Sequence, residues 1–256
     1  MLIAIGSGKG GVGKTCLAIG LAQALVEAGR DVLLADGDLG LANVDVQLGL
    51  QPLLDLGDVM AGRCRADQAM IRHPAGFHVL PGRSGSPGLA AMDGSALLTL
   101  LREQRRDVVL DLGAGLGAAQ RLLAAKADLL VVVANEEPTS LTDAYAVLKL
   151  HRRDAPSGRA GVLVNMVAQR AQAMKVHAAL DSACRGFLGA GVRMLGAVRR
   201  DPRIPAAIRA QTPLLTRHPA SPAAQDLREI AAGLLDGGRD RMPGPASLVP
   251  SPATSP

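Results

Sequence analysis

The chain has 256 residues, 48% of them apolar but only 1% aromatic, and a formal net charge of +5. A chain this long buries roughly 70–75% of the surface its unfolded form exposes, so it needs no staples, and with so few rings its core must be Leu, Val, Ile and Ala. The three aromatic residues, Phe77, Tyr145 and Phe187, exclude the stacking platforms on which single-stranded nucleic acid binds.

Three cysteines, Cys16, Cys64 and Cys184, fit neither a disulfide framework nor paired metal-ligand spacing and point to a reducing cytoplasm. No charged leader opens the chain, and no apolar run reaches the length of a membrane span.

Short apolar runs alternate with longer amphipathic segments, the pattern of a doubly wound α/β fold with a mostly parallel sheet and helices on both faces. Residues 2–5 predict the first strand, 15–28 a helix closed by Gly29, and 32–35 the second strand. Further strands are expected over 77–80, 108–110, 129–133, 162–164 and 194–198, with helices over 140–150 and 226–236. Near-continuous runs such as LLVVVA read as strands buried on both faces. From about residue 237 the composition turns to Gly, Pro, Ser and Ala and predicts a disordered tail, so residues 1–236 form one expected domain.

Directly after the first strand comes GSGKGGVGKT, residues 6–15. Gly8, Gly13, Lys14 and Thr15 satisfy the spacing G-x-x-x-x-G-K-[ST] between a strand and a helix. Gly8, Gly10, Gly11 and Gly13 let the backbone N–H groups turn inward around phosphate oxygens, with Val12 and Cys16 completing the cradle. The starting helix aims its positive end at the same anion. Lys14 supplies a point charge to the β/γ-phosphates, and the Thr15 hydroxyl is a hard oxygen ligand for Mg²⁺. ATP and Mg²⁺ are therefore the expected ligands.

Acidic residues follow at the ends of the next strands. Asp36 and Asp38 open DGDLGLANVD, and Asp111 closes an apolar strand in VVLDLGAG, with Gly113 and Gly115 after it. Carboxylates beside a phosphate loop can hold Mg²⁺ and orient an attacking water, and the glycines suit a loop that senses the γ-phosphate.

Lys9 is not demanded by an ordinary phosphate loop. KGGVGKT resembles the deviant Walker motif of the MinD/ParA class. DGDLGLANVD, EPTSLTDAYAVLK at 137–149 and PLLTRHPASPAAQDL further resemble the FlhG/FleN branch of that class, over about residues 1–235. The resemblance implies that Lys9 acts in the partner subunit's site, so that two monomers enclose two ATPs. It also implies that Asp38 polarises the nucleophilic water, that Asp36 and Asp111 with Thr15 serve the metal, and that Asn165 contacts adenine. It implies a slow, partner-stimulated ATPase that dimerises on ATP and regulates flagellar number and placement. Its partners would be an FlhF-type GTPase or a flagellar transcription activator, met in the cytoplasm or at the pole or inner membrane.

The chain departs from that branch in several places. Gly37 stands where the branch usually has Ala, and NEE at 135–137 replaces a Thr-Pro-Glu type turn. Branch members carry an FlhF-stimulating DQAxxLR-like motif before the phosphate loop, whereas five residues precede Gly6 here. DQAMIR at 67–72 is read as coincidence, which puts FlhF activation in doubt. The helix over 226–236 mixes acids into its polar face and lacks aromatic anchors, so it is expected to pack on the sheet and not to seek a membrane. Two alternatives stay open: a ParA-like ATPase riding non-specifically on DNA through Arg193, Arg199, Arg200, Arg203, Arg209 and Arg217, and a MinD-like division-site ATPase.

Overall fold

The computed structural model describes residues 1–38, 42–82 and 94–236. The tail expected after residue 236 and Leu39–Leu41 of the second acidic motif lie outside them. In chain order the elements are β1 (Leu2–Gly6), α1 (Lys14–Glu27), β2 (Val32–Gly37), α2 (Val44–Leu48), α3 (Leu56–Met60), α4 (Ala66–Ala69), β3 (Ile71–Arg72), β4 (His78–Leu80), α5 (Gly94–Arg102) and β5 (Asp107–Leu112). They continue with α6 (Ala118–Lys126), β6 (Leu129–Ala134), α7 (Pro138–Asp154), β7 (Ala160–Val167), α8 (Arg170–Leu188), β8 (Arg193–Arg199), α9 (Arg203–Arg209), α10 (Leu214–Arg217) and α11 (Pro222–Asp236).

Among the described residues the strands form one sheet in the order β3-β4-β2-β5-β1-β6-β7-β8. All pairs are parallel except β3 with β4. The seven expected strands all form, and most run past their apolar stretch because ladder pairing continues through polar residues such as Asp111. The two-residue β3, an antiparallel edge, has no periodicity to betray it.

Alternation along β1 divides the core. Ile3 and Ile5 face a layer of α1, α10 and α11, and Leu2 and Ala4 face a layer of α5, α6, α7 and α8. Apart from Phe77 in the first layer and Tyr145 packed against the second, both layers are aliphatic, as composition requires.

The last helix packs as expected. Leu227, Ile230, Ala231 and Leu234 of α11 are all buried against β8 and α1, so its apolar face is not available to a bilayer. Contact is close because Gly20 has no side chain: a Cβ there would sit 2.6 Å from a Leu227 methyl. No helix among the described residues is long and apolar enough to cross a membrane.

A charge cluster fixes the register of this helix. The fully buried Asp226 carboxylate accepts from Arg199 Nε and Nη2 at 2.9 Å each, from the Arg199 N–H at 3.0 Å, and from Arg170 Nη2 at 2.7 Å. Burial alone would raise its pKa, but the bonds from Arg199 and Arg170 outweigh it and hold the carboxyl below its ordinary value. Asp226→Ala strands a guanidinium and a backbone donor, and should destabilise the fold by about 2–4 kcal/mol in urea melts. Because the partners keep some solvent access, Asp226→Asn should recover part of that loss.

Candidate functional site

The phosphate loop leaves the C-terminal end of β1, a central strand whose neighbours are β5 and β6. Gly13 caps α1 in the left-handed region, at φ 90° and ψ 21°, and its carbonyl accepts the Leu17 N–H at 3.0 Å. Gly11 is also left-handed at φ 79°. These conformations turn the loop's N–H groups to one side. A Cβ on Gly8 would lie 2.7 Å from the Asp143 carbonyl oxygen, so α7 seats directly on the loop, whereas Gly10 and Gly11 face nothing within 4 Å. The loop is backed by protein on one side and open on the other. The loop after β5 is tied to it, since the Gly115 N–H donates to the Ser7 carbonyl at 3.0 Å.

Lys14, at the first turn of α1, is buried, and Asp111 and Asp38 supply the charges that oppose its desolvation. Burial still holds its pKa below the ordinary value. Asp36 and Asp111 are direct partners in the β2–β5 register. Burial pushes Asp111 up to about 7, against the hydrogen bond from the Thr15 hydroxyl, and the charges of Asp36 and Asp38 add to the rise. One Asp111 oxygen, Oδ1, is buried without a partner. The Asp38 carboxylate lies against Gly113, where a Cβ would be 3.0 Å from Oδ1.

Asp36 is engaged differently. Its oxygens accept the N–H groups of Asp38 at 3.1 Å, Asn43 at 2.9 Å and Val44 at 3.0 Å. Burial raises its pKa to about 6 despite these bonds. These bonds hold the backbone at Asp38, Asn43 and Val44 around the Asp36 carboxylate. Gly37 has a packing reason, because an added methyl would meet Leu110 Cδ1 at 2.8 Å and the Asp111 carbonyl at 3.0 Å.

Lys9 does not point at its own loop. Its ammonium bonds Glu137 Oε2 at 2.5 Å and Thr139 Oγ1 at 3.2 Å, at the N-terminal end of α7. The NEE turn sets up this partner, since the Asn135 side chain accepts the Glu137 N–H at 3.1 Å and Ser140 Oγ accepts the Asn135 N–H at 3.1 Å. Asn165 sits behind the loop, with Nδ2 donating to the Val12 carbonyl at 2.8 Å and Oδ1 buried without a partner. Burial pushes the Cys16 thiol up to about 12, so it is not an activated thiol.

These residues fit a magnesium-bound nucleoside triphosphate. A buried lysine faces two carboxylates, a buried carboxylate oxygen lacks a partner, and a glycine cradle stands open beside them. Among the described residues there is no cluster of three or more His, Cys, Asp or Glu side chains that could hold a metal ion. Sequence reasoning missed Glu137 and Thr139 as the partners of Lys9. The resemblance over 137–149 covered them without assigning a role.

The chain matches the CobQ/CobB/MinD/ParA nucleotide binding domain over residues 3–214. It is 36% identical to the antiactivator FleN of Pseudomonas aeruginosa over 236 residues, covering 90% of this chain and 84% of that one. It is 29% identical to the flagellum site-determining protein YlxH of Helicobacter pylori over 240 residues, covering 91% of this chain and 81% of that one. In structure it is similar to the cell division ATPase MinD of Pyrococcus furiosus, with a TM-score of 0.80, 25% identity, and coverage of 92% of this chain and 98% of that one. MinD of Pyrococcus horikoshii, solved with Mg-ADP, gives a TM-score of 0.79 at 25% identity, covering 94% of this chain and 99% of that one. By its phosphate loop, its sheet and these matches, the chain belongs to the CobQ/CobB/MinD/ParA nucleotide-binding family, together with FleN.

Proposed function

We propose that this chain is an ATP-hydrolysing switch that dimerises on ATP and acts in setting flagellar number and placement, its turnover slow and raised by a partner. The observation that carries the enzymatic part is the buried Lys14 facing Asp111 and Asp38 beneath an open glycine cradle. The flagellar part rests on likeness to FleN and YlxH.

In this reading the N–H groups of residues 8–15 and the Lys14 ammonium bind the phosphates, while Thr15 and Asp111 hold Mg²⁺, which supplies charge neutralisation on the phosphate oxygens. The raised pKa of Asp111 follows first from its burial, and the charges of Asp36 and Asp38 add to the rise against the Thr15 hydroxyl and Lys14. A cation placed there restores its charged form. Asp38, whose N–H bonds Asp36, orients and polarises the attacking water. The Gly113–Gly115 loop, tethered to Ser7, is positioned to follow the state of the phosphate loop.

A DNA-riding role draws less support. Arg199 is committed to Asp226, Arg200 lies 3.6 Å from Glu136, and Arg203 lies 3.6 Å from Asp201, so half of the arginine set considered for DNA is engaged with acids.

Lys14→Ala should reduce ATP affinity at least roughly 100-fold, since a desolvated cation on the phosphates is lost. Its melting temperature should stay close to that of the parent, because removing a desolvated charge is offset by the counter-charge lost to Asp111 and Asp38. Titration calorimetry showing undiminished ATP affinity would overturn the assignment of the site.

A further inference from the structure

Met166 is one of two non-glycine residues among those described that adopt positive φ, at 60°, the other being Gln211. Such a conformation in an unbranched residue persists only where its surroundings impose it, and it concentrates at functional sites. Here it coincides with a break in the β7–β8 register between Asn165 and Val167. Side chains at consecutive positions of a regular strand point to opposite faces, whereas a bulge re-aims one of them. The consequence is visible at Gly13. A Cβ on that glycine would lie 2.5 Å from Asn165 Nδ2 and 3.3 Å from Met166 Cε. Two neighbours in sequence thus converge on the last turn of the phosphate loop, Asn165 through its bond to the Val12 carbonyl and Met166 by apolar contact.

We propose that Met166 is a positioning residue for nucleotide binding: its strained bulge and thioether hold the Val12–Gly13 end of the loop in the phosphate-receiving shape before the ligand arrives. The inference rests on the reading of residues 8–15 as a triphosphate cradle. A pre-formed cradle loses less conformational freedom on binding. Without the Met166 side chain, Gly13 has a void beside it and the loop samples shapes in which its N–H groups no longer converge. The strain is local to the bulge, so relieving it does not weaken the fold.

The test uses the full chain with Mg-ATP in titration calorimetry and steady-state hydrolysis, comparing Met166→Gly, Met166→Leu and Lys14→Ala. Met166→Gly accepts positive φ and deletes the wedge, and should weaken ATP binding about tenfold. Its KM should rise while kcat stays within about twofold, and its melting temperature should be unchanged or raised. Met166→Leu keeps apolar bulk and should bind within about threefold of the parent. Unchanged affinity in Met166→Gly, a loss that runs parallel with melting temperature, or no recovery in Met166→Leu would each overturn the proposal. The Lys14→Ala arm separates the two levels: retained ATP binding there sinks the cradle reading itself, whereas loss there with an unaffected Met166→Gly sinks only the role of Met166.

Discussion

An Asp38→Ala chain given ATP is expected to accumulate as a dimer, and adding Lys9→Ala should return it to monomer in light scattering. With Lys14 proposed to bind the phosphates from the helix start, the subunit has no need of a second cation at the outer edge of its own loop. In the single chain Lys9 is occupied instead by Glu137 and Thr139. That pair is solvent-exposed on both sides, with the two side chains 39% and 54% accessible, and such pairs are weak and screened by salt. Facing a symmetric copy, Lys9 can exchange this contact for the triphosphate of the opposite site, in a water-poor interface where a charge pair is worth far more. Between two symmetric copies such an interface would be isologous, so one residue would supply two bridges per dimer. Loss of the γ-phosphate removes the charge that favoured the exchange and returns Lys9 to Glu137, coupling hydrolysis to dissociation. In an otherwise intact chain, Lys9→Ala should bind ATP but hydrolyse it roughly 100-fold more slowly. A dimer that survives Lys9→Ala in the Asp38→Ala background would show that the lysine does not act across the interface.

Asp111→Asn should make the ligand-free chain more stable at pH 8, with little change near pH 4. The Asp111 carboxyl is raised from 3.8 to about 7 in the folded chain. Below about pH 3 it is largely protonated whether folded or unfolded, and at pH 4 the unfolded chain has only begun to gain from ionising it, so its contribution there is small. As pH rises towards 7 the unfolded chain ionises it freely while the folded chain holds it neutral at a growing cost. Above the folded pKa that cost is full and constant. Asp36, raised to about 6, acts in the same direction over a slightly lower window. The asparagine still accepts from Thr15 and carries no charge to desolvate. It also removes a counter-charge from Lys14, which offsets part of the gain. The net difference should be on the order of 2–3 kcal/mol at pH 8. Urea melts of both chains at the two pH values provide the measurement. Carboxylates with depressed pKa, such as Asp107 and Asp226, titrate alike in both chains and cancel from the comparison. Equal stability at pH 8 would mean that Asp111 is not held against its charge.

Much of this molecule is legible in its amino-acid order, because the relevant physics is local. A glycine-rich turn between an apolar strand and a helix makes a phosphate cradle wherever it occurs, and the Gly13–Lys14–Thr15 step cannot be spaced otherwise and still cap α1. Period and composition placed seven strands and the packing of the last helix, since alternation and amphipathic stripes are properties of neighbouring residues. Asp36, Asp38 and Asp111 could be named as site acids from their position at strand ends. The division of labour among them could not, because it depends on which oxygens meet backbone N–H groups and which stay unpartnered in a buried space. Lys9 was visible as an anomaly, but its resting partner Glu137 lies 128 positions away, and only the seating of α7 against Gly8 brings them together. The same holds for Asn165 and Met166. Nothing in VLVNMV marks a bulge, and it takes the approach of β7 to the phosphate loop, with β8 breaking register beside it, to turn two consecutive side chains onto one glycine. Sequence by itself determined the elements and the chemistry of the cradle, which are set by short-range sterics and hydrogen bonding. Only the tertiary structure decided how each charge is paired, because desolvation and Coulomb energy depend on neighbours that chain order does not fix.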